Sequence, residues 1–533
     1  MRQIKKKALF KLHPTKNKHM QRRRFLKASS LLPLLTGSVL TLPNMLSAQE
    51  KSIAPIADLE GPGFFYKPKG AWAGDFIPFY ADGTFQLFYL LSFRNDKENG
   101  EGTPWYRLTT NNFVDFKEYG EVIPRGSKRE QDLYIFTGSA IEAKGKYHIF
   151  YTGHNPHLRV KGKPEQAIMH AVSDDLQNWA KIPEDTFFAP KDKYEMHDWR
   201  DPFVFWDEND KVYYMLLAAR STKGIPRRRG LTALCSSIDL KTWKVEENFY
   251  KPDLYFTHEC PDLFKIGEWW YLVFSEFTDK VRTRYVKSNS VKGPWVIPER
   301  DDFDGHAFYA AKSASDGNRR FLFGWNPTRE KEKDTGDWQW GGNLVVHEIL
   351  QEKGGDLKVI MPKEVGQAFT QKKQLSFTTG SGKFSATNNN LSLNATNTFA
   401  CANAGKLPPL CRIRAVANFD EQTSNFGIMF HTSDDFDQSY YITCEPKNQQ
   451  LIFDKWPREQ SPVTQLVELE RPLKMKPGEP VIIDAIIEGT KGVVYINNIV
   501  AMNFRCYDFK DGNWGFFATN GEVVFSFMDI SIR

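Results

Sequence analysis

The sequence predicts an all-β protein, a five-bladed β-propeller followed by a C-terminal β-sandwich. A strand, turn, aromatic-strand outline recurs five times between Asp75 and Trp325. A polar turn ahead of an apolar residue follows most of those hairpins. No long helical periodicity appears after residue 48. Such a repeat, with each unit unable to bury its apolar face alone, is the signature of radial or stacked β-architecture.

The N-terminus reads as a targeting segment. Gln21-Arg22-Arg23-Arg24-Phe25-Leu26-Lys27 precedes an uncharged, mostly apolar run from Ala28 to Pro43, then Leu46-Ser47-Ala48. Twin arginines, a modest apolar core and a small-residue cleavage site predict a twin-arginine export signal over 1–48, and a periplasmic or secreted product. The run is short and broken by Pro33, Gly37 and Pro43, so no membrane span is expected in the mature chain. These 48 residues hold 11 of the 71 Lys and Arg and no Asp or Glu. The remainder carries 60 basic against 65 acidic residues, a net charge of −5, which removes the main support for a nucleic-acid partner.

The propeller is expected over 49–355. Its five hairpins run Asp75 to Leu90, Gly138 to Thr152, Asp201 to Leu217, Glu259 to Phe274 and Phe308 to Trp325. Aromatics at Phe88, Phe150, Tyr213, Tyr271 and Phe321 recur at roughly 50–65 residues, at or just above blade spacing. Turn residues such as Asp82-Gly83, Lys144-Gly145 and Asp316-Gly317 suit hairpins. The second element recurs at Thr110–Phe116, Ser173–Trp179, Ser236–Trp243 and Ser288–Trp295, each the entry to an outer strand. A Gly- and Lys-rich stretch at 356–375 reads as a linker. Alternating runs across 376–533, with Asn497-Asn498 and Asn520-Gly521 as turns, read as the sandwich. The 14% aromatic content suits β-structure and sugar-stacking surfaces alike.

The first strand of a propeller blade lines the central channel. The repeat puts Asp75, Asp201 and Glu259 at the start of that strand in blades one, three and four. Singly, each has a structural reading: Asp201 precedes Pro202 and could be a turn residue, Asp75 could cap a turn, and Glu259 could pair with an arginine. Three acids converging on one axis are costly unless solvated, paired or used, and their shared place favours chemistry. Glycoside hydrolysis needs such a set: one carboxylate to attack the anomeric carbon, one to protonate the leaving oxygen, and a third to bind hydroxyls. Six cysteines are irregularly spaced, with no CxxC and no paired histidines, so no metal site is expected. Cys401 and Cys411 could pair, though folding before export in a reducing compartment argues against it.

At these residues the chain resembles the family 32 glycoside hydrolases, the invertase, inulinase and levanase group. Trp199-Arg200-Asp201-Pro202 and Glu259-Cys260-Pro261-Asp262 match that family's R-D-P and E-C motifs. Phe136-Thr137-Gly138-Ser139, Tyr151-Thr152-Gly153, Phe308-Tyr309-Ala310, Gly324-Trp325 and Trp340-Gly341-Gly342 resemble its S-G-S, Y-T-G, F-Y-A, G-W and W-x-G segments. The resemblance implies Asp75 as nucleophile, Glu259 as general acid/base, and Asp201 with Arg200 as transition-state stabilisers. It implies Cys260 as a neighbour that tunes Glu259. Trp72, Trp325, Phe136 and Ser139 would line the sugar pocket. No cofactor is implied, and the partner is an oligosaccharide or glycoside substrate. The first motif departs from the family: Trp72-Ala73-Gly74-Asp75-Phe76-Ile77-Pro78 has Gly74 for Asn and Phe-Ile-Pro for Pro-Asn-Gly. The implied activity is an exported, retaining hydrolase of terminal furanosides, β-fructofuranosides foremost. A pentofuranosidase of the family 43 type and a non-catalytic carbohydrate-binding propeller are the alternatives that the altered motif keeps open.

Overall fold

The structure, a computed structural model, describes residues 63–387, 390–458 and 469–533; the expected export signal lies outside them. Nearly every described element is a β-strand. Blade 1 is Trp72–Ala81, Thr84–Ser92, Trp105–Thr110 and Lys117–Ile123, each strand antiparallel to the next. Blade 2 follows as Tyr134–Ala143, Lys146–His154, Gln166–Ser173 and Ala180–Lys181. Blade 3 is Tyr194–Asp207, Val212–Ser221, Gly230–Ser237 and Lys244–Val245. Blade 4 has Glu259–Ile266, Trp269–Glu276 and Arg282–Ser288. Blade 5 has Tyr309–Ser315, Arg320–Arg329, Trp338–Gln351 and Leu357–Ile360. The five inner strands touch one another in cyclic order, the fifth against the first. Ala73 also pairs with Gly342, which joins blades 5 and 1 into one eight-stranded sheet.

Local chemistry explains the repeat. Asp82-Gly83 and Lys144-Gly145 both have positive φ at their two residues, the twist that matches tight hairpins. The polar turn that recurs in the sequence is one hydrogen-bonded device. Thr110 Oγ1, Ser173 Oγ and Ser237 Oγ accept from backbone N–H groups two or three residues on. The side chains of Asn112, Asp175 and Asp239 accept from the following N–H groups. Those bonds, chiefly from Asn178 and Thr242, hold the Asp175 and Asp239 carboxyls below the usual carboxylate range. The left-handed residues Phe113, Leu176 and Leu240 close the turns and drop their side chains into the core.

The C-terminal part packs two antiparallel sheets over a shared core. One sheet centres on Glu522–Ile532, Leu410–Phe419, Val481–Glu488 and Lys491–Ile496; the other on Asn513–Thr519, Asn425–Thr432 and Ser439–Glu445. Ile413, Phe430, Ile442, Ile483 and Phe516 meet between them. The six cysteines are buried thiols, Cys401 and Cys411 included. Within 356–375, Leu357–Ile360 is the last strand of blade 5, and Gln371–Lys373 pairs with Glu522–Ile532.

The sandwich grips blade 5. Arg505 donates from Nη2 to Asn326 O at 2.8 Å and Asn343 Oδ1 at 2.7 Å, and Asn326 Nδ2 returns a bond to Phe504 O at 3.0 Å. His347, buried, meets Asp304 at 3.0 Å and Tyr495 at 2.8 Å across the same seam. Among the described residues no helix is long and apolar enough to cross a membrane.

Buried histidines give the fold a pH dependence. Burial pushes His258 down to about 3, and His148 and His306 down to about 4. In the unfolded chain they take protons near pH 6.5, whereas the native protein resists until 3–4. The unfolded state then binds more protons, so stability falls as pH falls through about 6.5. His258 alone costs about 2 kcal/mol between about pH 6.5 and 5. Thermal unfolding at those two pH values is expected to show a smaller loss in His258→Gln than in the parent; an equal loss would refute the assignment.

Candidate active site

The site begins with a backbone irregularity common to all five inner strands. In blade 1 the pairing skips from Gly74 to Ile77, in blade 3 from Arg200 to Phe203, in blade 4 from Glu259 to Asp262, and in blade 5 from Tyr309 to Lys312. Two residues there face one on the partner strand, a β-bulge. Blade 2 carries a single extra residue, Thr137, between Phe136 and Gly138. The first bulged residue has positive φ in four blades: Asp75 at 49°, Asp201 at 57°, Cys260 at 52° and Ala310 at 50°. Such conformations cost about 1–3 kcal/mol each in non-glycine residues and persist where the surroundings enforce them.

This register corrects one expectation. Asp75 and Asp201 are equivalent, but Glu259 is not their counterpart: it is the last paired residue before the bulge, and Cys260 takes the equivalent place. Glu259 instead aligns with Gly74, Phe136, Arg200 and Tyr309. The five bulged residues are Asp75, Thr137, Asp201, Cys260 and Ala310.

The two sets close into a circuit. Thr137 Oγ1 donates to Asp75 Oδ2 at 2.6 Å. The Cys260 thiol lies 3.6 Å from Thr137 Oγ1 and 3.8 Å from Asp201 Oδ2. Cys260 N donates to Asp201 Oδ2 at 3.0 Å, and Asp201 N donates to Thr152 Oγ1 at 2.7 Å. Arg200 Nε is 3.7 Å from Asp201 Oδ2, and its Nη2 donates to Glu259 Oε1 at 3.1 Å. Tyr309 donates to Glu259 Oε2 at 2.6 Å and sets its ring edge against Trp325, centroids 6.1 Å apart. Trp325 Nε1 then donates to Asp75 Oδ1 at 3.2 Å, joined there by Trp340 Nε1 at 3.2 Å. All three acids are buried.

Basic side chains partly offset the acids within the same volume. Arg200 bridges Glu259 and Asp201 and is held by Asp198 at 2.6 Å. Outward, Asp198 and Glu195 hold Arg220, and Glu195 pairs with Arg229 at 2.7 Å. Lys312, 2% exposed, donates to Pro261 O at 2.6 Å beneath the site. Burial lowers its pKa, opposed chiefly by the carboxylate of Asp262. Two cations at the axis thus offset acids whose burial would be prohibitive alone.

The remaining expected residues divide. Phe136 stacks on His154 at 4.5 Å, and Trp72 lies under Arg94 at 4.3 Å and Lys67 at 5.3 Å. Ser139 lies apart: its Oγ accepts from Val204 N at 3.0 Å, tying blade 2 to blade 3. Thr137, Thr152, Tyr309, Lys312 and Trp340 were not among the expected site residues. Thr137 and Tyr309 stand at the bulge and pre-bulge positions of blades 2 and 5, a register that only the strand pairing reveals.

Tyr309→Phe removes one bond to Glu259 and little volume. A bond to a charged group is worth about 1.5–3 kcal/mol, so if the site is catalytic its kcat is expected to fall roughly 10- to 100-fold. Steady-state kinetics with kcat unchanged would separate Tyr309 from the chemistry.

The sequence profile of the Glycosyl hydrolases family 32 N-terminal domain matches residues 66–360. The levanbiose-producing levanase of Bacillus subtilis (strain 168) is 24% identical over 311 residues, covering 53% of this chain and 57% of that protein. The sucrose-6-phosphate hydrolase of Staphylococcus xylosus is 26% identical over 273 residues, covering 48% of this chain and 52% of that protein. This chain thus spans little more than half the length of those two relatives. Fructan 1-exohydrolase IIa from Cichorium intybus has the same fold, with a TM-score of 0.67 at 15% identity over 88% of this chain and 96% of that one.

Proposed function

The chain belongs to glycosyl hydrolase family 32, and on that premise we propose that it hydrolyses terminal furanosides, β-fructofuranosides foremost. The observation that supports this reading is the circuit of contacts that links Asp75, Asp201 and Glu259. The levanase and sucrose-6-phosphate hydrolase among its relatives point to the same class of sugar.

The roles follow from what each acid touches. Asp75 is the nucleophile: the Thr137 hydroxyl and the indole N–H groups of Trp325 and Trp340 donate to its carboxylate, which holds the oxygens in a fixed direction. Glu259 is the general acid and then the base. It lies between Arg200, which favours the carboxylate, and the Tyr309 hydroxyl, which can stay bonded to either protonation state. Asp201, with the Arg200 guanidinium, binds sugar hydroxyls as charge develops on the ring. Attack by Asp75 with protonation of the leaving oxygen gives a glycosyl-enzyme, and water activated by Glu259 releases it with retention.

Export is part of the same reading. The order of twin arginines, apolar run and Leu46-Ser47-Ala48 supports a periplasmic or secreted enzyme meeting an external glycan. One observation favours a second specificity: Gly74 and Phe76-Ile77-Pro78 alter the surroundings of Asp75, as a pentofuranosidase or a binding propeller would require.

The purified chain, offered sucrose, inulin, levan and arabino-oligosaccharides, is expected to release fructose. Asp75→Ala should lower turnover by at least about three orders of magnitude while sugar binding persists. Arabinose as the sole product would favour the pentofuranoside reading, and binding without product the non-catalytic one. Turnover by Asp75→Ala would remove Asp75 from its role.

A further inference from the structure

Gly74 directly precedes Asp75, and its missing side chain has a spatial reason. A Cβ there would lie 2.7 Å from Cζ2 and 2.9 Å from Cε2 of Trp340, far inside the 3.5–4 Å of ordinary carbon contact. The indole of Trp340 occupies the space that any other residue at position 74 would fill.

Trp340 is brought there by its own backbone irregularity. In the pairing of Arg320–Arg329 with Trp338–Gln351, Pro327 faces Gly342 and Thr328 faces Gln339, so Trp340 and Gly341 bulge out. Gly341 has φ 84°, and a Cβ on it would meet Trp72 Cβ at 3.1 Å. Arg94 fastens the bulge. It donates to Trp340 O at 2.6 Å, Gln339 Oε1 at 2.7 Å and Thr328 Oγ1 at 2.7 Å, with its guanidinium over the Trp72 ring. From this position Trp340 Nε1 donates to Asp75 Oδ1, the oxygen that also accepts from Trp325 Nε1. The two indoles come from the adjacent strands Arg320–Arg329 and Trp338–Gln351 of blade 5, their rings 6.0 Å apart and inclined at 59°.

We infer that Trp340 is a positioning residue for Asp75, and that Gly74 is side-chain-free so that the indole can reach it. The inference rests on the reading of Asp75 as nucleophile. Two indole N–H groups on one oxygen and the Thr137 hydroxyl on the other fix both the torsion and the depth of the carboxylate. Removing one indole loosens the attacking group without touching the sugar contacts of Asp201 and Arg200, so the loss falls on kcat.

The test is a set of variants assayed on the fructoside that the parent cleaves. Trp340→Phe keeps a ring and drops the donor; kcat is expected to fall about tenfold with KM within about threefold. Gly74→Ala pushes a methyl into the indole and should cost a similar factor. In a Trp340→Leu background, which lacks the obstructing ring, Gly74→Ala should cost no more than about twofold, a non-additive cycle. A KM near the parent value shows that the variants are folded. Parental kcat in Trp340→Phe, or additive losses in the cycle, would overturn the inference. If Asp75→Ala is inactive in that case, only the role of Trp340 fails; if Asp75→Ala turns over, the reading of Asp75 fails beneath it.

Discussion

The site depends on one backbone constraint, the bulge that interrupts the inner strand of every blade at the same height. A regular strand would send successive side chains to opposite faces, so adjacent residues could not both serve the channel. The bulge breaks that alternation. It lets Arg200 and Asp201 both reach the axis, and does the same for Glu259 and Cys260. The left-handed conformation of Asp75, Asp201, Cys260 and Ala310 is strained, and the inter-blade bonds hold it. Strain and function thus share the same residues.

Charge burial imposes the next layer. Three buried carboxylates are tolerable only with cations and donors fixed around them. Arg200 and Lys312 provide the cations, Thr137, Tyr309, Trp325 and Trp340 the neutral donors. The division is uneven in a useful way. Glu259 and Asp201 share Arg200, whereas the bonds to Asp75 come from an alcohol and two indoles.

The sandwich contributes rigidity to this arrangement. Arg505 reaches from the sandwich to Asn326 and Asn343, the residues next to Trp325 and Gly342. The seam therefore ends one residue from the indole that holds Asp75. Arg94 does the corresponding work from blade 1, fixing the Trp340 bulge. Blade 5, which carries Tyr309, Trp325 and Trp340, is thus clamped from both sides.

Much of this was legible in the sequence because it is local. Strand periodicity, Asp-Gly turns and the recurring Thr/Ser-x-Asn/Asp turn are set by residues within a few positions, so the five-blade plan, the sandwich and the inner-strand placement of Asp75, Asp201 and Glu259 could be read directly. The family motifs around Arg200-Asp201 and Glu259-Cys260 added the chemistry. The bulge was not legible, since one extra residue leaves composition and spacing almost unchanged, and so Glu259 was aligned one place off. Nor were contacts across the ring. Thr137 meets Asp75 over 62 positions, and Trp340 over 265. Ser139, placed in the pocket from its motif, accepts from Val204 N on the next blade. The sequence by itself determined which strands carry the acids, because side-chain alternation and turn chemistry are short-range. Only the tertiary structure decided which neighbours hold each acid, because closing the ring brings together residues that no local pattern relates.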